Sequence, residues 1–194
     1  MLMKRVLVAL VLVANPLMAG APSDAQRIEE ATAALPQDLR AGAGVLVTDD
    51  DGSQRTLQEG RNGFVCFPDD GEPGFKTACV EPSVLRFVAG LGPILEQATS
   101  VADRLARIDA AFEDGSLVPP EPGSRTYILS GPDRERAELL MGIFLPGATA
   151  ESTGLPTARS NGTWLMCPGS PGAHIMVGDI PYGQDAELWK TCGR

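Results

Sequence analysis

The longest regular pattern in this chain is a stripe of apolar residues at helical spacing between residues 82 and 112. Gly90, Gly92 and Pro93 interrupt the stripe, and Ser100 with Asp103 offers an N-terminal cap for a second segment. The apolar positions are Val84, Phe87, Val88, Leu91, Ile94, Leu95, Ala98, Val101, Leu105, Ile108 and Phe112. The pattern predicts a segmented helical block with one buried face.

Short apolar runs bounded by turn residues predict strands on both sides of this block. Residues 44–48 and 53–58 flank an Asp-Asp-Asp-Gly segment, whose Asp-Gly pair tolerates positive φ and favours a hairpin. The remaining predicted strands are residues 125–130, 139–145, 163–167 and 173–177. A turn at residues 168–172 separates the last two strands. We therefore expect six strands that pair mostly antiparallel.

Two weaker helical patterns lie near the ends of the chain. Residues 24–34 have apolar side chains near helical spacing, and Pro36 ends the pattern. The sequence also allows loose order for residues 22–40, and residues 185–192 could form a final helical turn or two. Together these patterns predict an α+β fold, in which a segmented helical block packs on a mostly antiparallel sheet of five to six strands.

The first 21 residues have the pattern of a secretory signal peptide. Lys4 and Arg5 precede a nine-residue apolar run at 6–14, and small residues follow up to Ala21. Cleavage is expected near residues 19–21, and cutting after Ala19 avoids a scissile bond next to Pro22. The apolar run is about half of the roughly 20 residues that a membrane-spanning helix needs. We therefore expect a periplasmic or secreted protein without a transmembrane segment, in which residues 22–194 form a single domain.

The acidic composition of the chain disfavours negatively charged partners. Removing the leader takes Lys4 and Arg5 but no acidic residue, so 14 basic residues face 25 acidic ones and the formal charge changes from −9 to −11. This charge repels phosphate backbones and anionic lipids, so nucleic acid is not expected as a partner. Because the acidic residues are spread along the chain, they are typical of a solvated surface.

The four cysteines of an exported chain favour disulfides over metal binding. No two cysteines have the two-residue spacing of a zinc or redox motif. Cys66 and Cys79 bracket a segment of turn-forming residues, and their proximity favours one bridge, which leaves Cys167 and Cys192 for the other. Closing the shorter loop stabilises the fold by about 3 kcal/mol on the chain-entropy account. Four cysteines allow three pairings, so this assignment stays open.

His174 is the only histidine, so any catalytic triad must include it. Ser170 and Asp179 lie nearby in sequence and supply the residue types of a nucleophile and an orienting acid. Pro168 replaces the first glycine of a Gly-x-Ser-x-Gly elbow, which weakens this interpretation. A structural histidine with one satisfied hydrogen bond is the simpler expectation. One histidine cannot complete a typical zinc site, and we predict no metal site and no cofactor.

Two stretches resemble the signature segments of an uncharacterised family of exported bacterial proteins. They are Gly-Arg-Asn-Gly-Phe-Val-Cys-Phe-Pro-Asp at 60–69 and Gly-Thr-Trp-Leu-Met-Cys-Pro-Gly-Ser-Pro-Gly-Ala-His-Ile-Met-Val at 162–177. Residues 126–131 and 141–156 are similar to intervening parts of the same pattern. The resemblance implies one exported domain with a Cys66 to Cys79 bridge, and the family has no known activity to transfer to this chain. The chain departs from the family at Phe64, where the family has tryptophan, and at Cys167, where it has an aromatic residue.

These observations predict a non-catalytic exported module. We expect it to bind an unknown partner protein or small-molecule ligand through loop residues that include Asn62, Asp69, Asp70 and His174. The alternative is a small periplasmic hydrolase that uses His174 as its general base with Ser170 and Asp179.

Overall fold

A computed structural model describes residues 22–49, 51–158 and 162–178. The helices are α1 (Asp24–Ala31), α2 (Gln37–Arg40), α3 (Pro82–Gln97), α4 (Val101–Glu113) and α5 (Ala150–Thr153). The strands are β1 (Gly44–Thr48), β2 (Gln54–Gln58), β3 (Val65–Phe67), β4 (Phe75–Val80), β5 (Arg125–Gly131), β6 (Glu138–Phe144), β7 (Gly162–Met166) and β8 (His174–Gly178). None of the described helices has the length and apolar character needed to span a membrane. The predicted leader and the predicted helical turn at 185–192 lie outside the described residues.

The strands form one sheet in the order β2-β1-β3-β4-β5-β6-β8-β7. All described neighbours pair antiparallel except β1 and β3, which are parallel. The α+β prediction is confirmed and the sheet is mostly antiparallel, whereas the predicted number of five to six strands is wrong, because the sheet has eight strands and one parallel pair. The prediction missed two strands. Strand β3 has only three residues, too few to show an alternating pattern. Strand β4 was missed because the turn-forming residues at 68–74 suggested one long loop.

The parallel pair arises because the chain crosses the end of β1 after the hairpin β1–β2. The hairpin prediction is confirmed: β1 and β2 pair antiparallel, and Gly52 at its turn has φ +82°. The crossing segment passes so close to β1 that a Cβ on Gly60 would lie 2.8 Å from the backbone nitrogen of Gly44. Glycine at position 60 therefore permits the crossing that places β3 beside β1.

Helices α1 and α2 lie on one face of the sheet. The first core cluster consists of Ala31, Ala34, Leu35, Ala43, Val45, Phe64, Cys66, Cys79 and Tyr127, all buried. Ser23 caps α1 by accepting a hydrogen bond from the amide of Gln26, which satisfies one of the free amides at the start of the helix. The segment 22–40, for which the sequence allowed loose order, thus contributes three buried side chains to this core.

Helices α3 and α4 lie on the opposite face. The second core cluster consists of Val80, Val84, Phe87, Ala111, Leu117 and Phe144. The predicted segmentation occurs at Ser100, whose Oγ accepts a hydrogen bond from the amide of Asp103 at 3.1 Å. The expected interruption at Pro93 is absent, since α3 continues to Gln97 with Pro93 inside it.

A third core cluster lies on the same face as α3 and α4 but at the other edge of the sheet. It consists of Leu140, Trp164, Met166, Cys167 and Met176. Two of its members, Met176 and Trp164, continue a row that the strand pairing forms with Thr126 on β5 and Gly142 on β6. Residues between the second and third clusters on this face define the site described next.

Candidate functional site around His174

His174 begins β8 on the face that carries α3 and α4. Its partners on the neighbouring strands are Phe144 on β6 and Met166 on β7. The imidazole ring lies 4.8 Å from the ring of Phe144, measured between centroids. Both strand partners are buried, whereas His174 is only partly buried. The histidine therefore lies between the second core cluster, which contains Phe144, and the third, which contains Met166.

One imidazole nitrogen is held by the backbone. The Nδ1 atom lies 2.8 Å from the carbonyl oxygen of Gly172, and because a carbonyl can only accept, Nδ1 is the donor. The neutral ring then presents Nε2 as a hydrogen-bond acceptor. Burial lowers the pKa of His174 below its ordinary value of 6.5, and the hydrogen bond to Gly172 opposes part of this effect. The imidazole is therefore neutral at neutral pH.

The Nε2 atom of this ring makes no hydrogen bond within the described part of the chain. His174 thus combines a ring that is largely desolvated with one acceptor nitrogen to which no described residue donates.

Gly142 lies on the strand next to His174, between the imidazole and the side chain of Thr126. A Cβ at this position would lie 2.7 Å from Thr126 Cγ2 and 3.9 Å from His174 Cδ2. The edge of the ring that carries Cδ2 therefore faces Gly142 and the methyl group of Thr126. Any side chain at position 142 would displace Thr126, because 2.7 Å is shorter than a carbon–carbon contact allows.

The described residues do not pair a nucleophile with His174. Ser170 Oγ donates to the carbonyl oxygen of Cys167 at 2.8 Å and makes no hydrogen bond to the imidazole. The turn between β7 and β8 fixes this orientation, since Cys167 adopts φ +56° and Gly169 adopts φ +75°. The third predicted triad member, Asp179, lies outside the described residues.

The side chains of the other predicted binding residues form hydrogen bonds with backbone groups of the protein. Asn62 Nδ2 donates to the carbonyl of Leu39 at 2.7 Å, and Asn62 Oδ1 accepts from the amide of Phe64 at 3.2 Å. Asp69 Oδ1 accepts from the amide of Lys76, and Asp70 Oδ1 accepts from the amide of Glu72. These bonds explain the residue types without a ligand.

The sheet register separates these residues into two groups. Val65 pairs with Val80, so Asn62 precedes β3 at the end of the sheet where β4 stops. Val80 pairs with Thr126 and Ile143 pairs with Ile175, which places His174 at that same end but several strands away. Asp69 and Asp70 follow β3 at the opposite end. The structure therefore does not bring Asp69 and Asp70 together with His174.

The predicted bridge between Cys66 and Cys79 is confirmed. The two cysteines face each other on adjacent strands with their Cα atoms 4.0 Å apart, and both are fully buried beneath α1. The bridge therefore lies within the sheet core, and the irregular residues 68–74 lie beyond it. Cys167 is also disulfide-bonded, whereas its predicted partner Cys192 lies outside the described residues.

Comparison with known proteins found no matching family model, no matching curated protein and no matching solved structure. The site must therefore be interpreted from its own geometry. No group of three or more histidine, cysteine, aspartate or glutamate side chains with the arrangement of a metal site occurs in the described ranges. Sequence reasoning singled out His174 but missed Thr126, Gly142 and Phe144, which only the pairing of β5, β6 and β8 brings beside it.

The lowered pKa of His174 predicts how stability depends on pH. Because the unfolded chain takes up the proton first, the stabilising contribution of the neutral ring is complete above pH 6.5 and is lost as the pH falls below it towards the lower folded pKa. Urea unfolding of the wild type and of His174→Gln between pH 8 and pH 4 measures this effect. The difference in unfolding free energy should shrink on acidification, and a difference that stays constant or grows would contradict the assignment.

Proposed function

We propose that this chain is a non-catalytic exported module that binds a small ligand or a partner protein, with His174 as its central polar contact. The proposal depends on the hydrogen bonds that the two candidate catalytic side chains make to backbone carbonyls. Each donates to a backbone carbonyl, Ser170 to Cys167 and His174 to Gly172, and no hydrogen bond links them. A base that activates a serine must lie within hydrogen-bond reach of its hydroxyl.

Export is part of the same proposal. The signal-like leader supports it, and so does the buried bridge between Cys66 and Cys79, because such bridges persist in oxidising compartments. The resemblance of residues 60–69 and 162–177 to a family of exported proteins is a further argument for one exported domain. Each of these supports is independent of the chemistry at His174.

The position of His174 favours the sheet face over the loops as the binding surface. Asn62, Asp69 and Asp70 use their polar atoms in hydrogen bonds to backbone groups, whereas no described residue donates a hydrogen bond to His174 Nε2. Ligand sites are typically apolar surfaces with a small number of fixed polar groups. The apolar surroundings of His174, with Phe144 and Met166 beside it, have this character.

The hydrolysis of p-nitrophenyl acetate distinguishes a binding module from a hydrolase. We expect wild type, His174→Gln and Ser170→Ala to hydrolyse this ester at rates within twofold of one another, because Ser170 and His174 are not hydrogen-bonded to each other. Ser53→Ala, which removes a hydroxyl from the exposed β1–β2 turn, is the matched control, and circular dichroism verifies folding. A tenfold or greater loss of kcat/KM in both site variants, but not in the control, would overturn the proposal in favour of the hydrolase.

A further inference from the structure

We propose that this protein forms a symmetric dimer through the outer parts of helices α3 and α4. We call this region the α3–α4 surface and define it as residues 88–110. The partner is a second copy of the same chain, because the surface is apolar, nearly neutral in charge, and carries two unpaired side chains of opposite sign. The inference goes beyond the proposed function and does not depend on His174.

The apolar stripe of the two helices continues beyond the part that is buried in the core. Val84 and Phe87 at the start of α3 and Ala111 near the end of α4 belong to the second core cluster and are buried. Between them, none of the residues 88–110 is buried. The apolar residues of this stretch are only partly buried or are exposed: Val88, Leu91, Ile94, Leu95, Ala98, Val101, Leu105 and Ile108.

The exposure is greatest at two valines of this stripe. Val88 is 52 % exposed and Val101 is 46 % exposed. Scattered single apolar residues are normal on a protein surface, whereas an apolar stripe at helical spacing that stays uncovered marks a contact surface. Helices α3 and α4 pack against each other, yet together they leave this stripe partly open. The described part of the chain therefore does not complete the burial that the stripe predicts.

An arginine on the apolar side of α4 has no acceptor. Arg104 precedes Ile108 by four residues and Ala111 by seven, so the three residues lie on one face of the helix. Its Nε atom is shielded from solvent, and Arg104 forms no hydrogen bond or ion pair with any described residue. A shielded guanidinium is normally paired with a carboxylate. Arg104 therefore lacks an acidic partner that another molecule can supply.

Glu96 provides the matching carboxylate in a second copy. It lies next to the last residue of α3, is exposed, and pairs with no residue of the described ranges. A two-fold interface brings residue i of one copy to residue j of the other, and j to i. A two-fold axis near the connection between α3 and α4 therefore forms two Glu96–Arg104 pairs, although the two side chains do not pair within one chain.

The local charge also favours a second copy over a charged macromolecule. Residues 88–110 contain three acidic and two basic residues, which gives this segment a net charge of −1 in a chain of net charge −9. Two copies therefore meet here with little local repulsion. Nucleic acid and anionic lipid surfaces are repelled by the charge of the whole chain.

Sedimentation velocity of the intact protein tests this inference through an exchange of charges. We expect the wild type to dimerise in the micromolar range, because a surface of two helices is small for an interface. Arg104→Glu and Glu96→Arg should each weaken the dimer by at least about tenfold, since each places like charges opposite one another twice. The double variant, which restores opposite charges, should recover the dissociation constant of the wild type to within about threefold.

Arg61→Glu is the matched control, because it makes the same change of charge at an exposed residue outside the α3–α4 surface. This control should leave the dimer unchanged. Val88→Ser removes exposed apolar surface without changing a charge, so it should weaken the dimer while circular dichroism shows an unchanged fold.

Three results would overturn the inference: a wild type that stays monomeric throughout the micromolar range, single charge reversals that leave the dimer intact, or a double variant that does not recover dimerisation. A monomeric wild type that sediments with neutral phosphatidylcholine vesicles would assign the α3–α4 surface to a lipid instead. None of these results affects the proposed function, which the ester-hydrolysis experiment with His174→Gln and Ser170→Ala decides.

Discussion

Replacing both Cys66 and Cys79 with alanine is expected to lower the free energy of unfolding by about 3 kcal/mol. The bridge spans a sequence separation of 13 residues, and in the chain-entropy account closing a loop of that size restricts the unfolded state by about this amount. Both sulfur atoms lie within the first core cluster beneath α1, so their removal also reduces apolar contacts there. Urea unfolding under oxidising conditions, with the slope m compared between variants, measures the loss.

The matched control for the bridge is Thr56→Ala, which changes an exposed residue on the edge strand β2. We expect this control to change stability by no more than about 0.5 kcal/mol. A loss below about 1 kcal/mol in the double alanine variant would show that packing alone holds β3 and β4 together. The bridge would then be dispensable for the fold.

Gly131→Ala is expected to destabilise the protein by about 1–3 kcal/mol, because the added methyl group overpacks a closed turn. Gly131 ends β5, opposite Phe75. A Cβ on this residue would lie 2.5 Å from the carbonyl oxygen of Arg136 and 2.6 Å from the Cα of Ala137. Both contacts are with backbone, so no side-chain rotation can relieve them, and the connection between β5 and β6 must shift.

Gly172→Ala is the control for this substitution. A Cβ on Gly172 would lie 3.5 Å from Phe87 Cζ and 3.8 Å from Ser170 Oγ, which are ordinary van der Waals distances. We therefore expect this control to change the free energy of unfolding by less than about 1 kcal/mol. Equal effects of Gly131→Ala and Gly172→Ala in urea unfolding would contradict the close approach at residues 136–137.

The accuracy of the fold prediction followed the length and regularity of each pattern. The Asp-Gly turn between β1 and β2 and the cap at Ser100 depend on local chemistry, so both could be located from the sequence. Strand β3 has three residues, which is too few for an alternating signal. Its parallel pairing with β1 depends on a crossing that a small number of close backbone contacts at Gly44 and Gly60 permit, and no periodicity encodes such contacts.

The candidate site was predictable only in part, and for a related physical reason. His174 could be singled out because it is the only histidine of the chain. Its neighbours Thr126 and Phe144 lie on other strands, and long-range register decides that they adjoin it. The sequence placed Ser170 near His174 along the chain, but the turn at Cys167 directs the serine hydroxyl to a carbonyl instead.

In this structure His174 is a neutral acceptor whose orientation is set by its hydrogen bond to the Gly172 carbonyl. Nitrogen-15 NMR of the imidazole measures both its charge and its tautomer, and the single histidine leaves no ambiguity of assignment. We expect a protonated Nδ1 and an unprotonated Nε2 at pH 7, with the second proton taken up only below pH 6.5. A proton on Nε2 instead of Nδ1, or a charged ring at pH 7, would refute this description of the site.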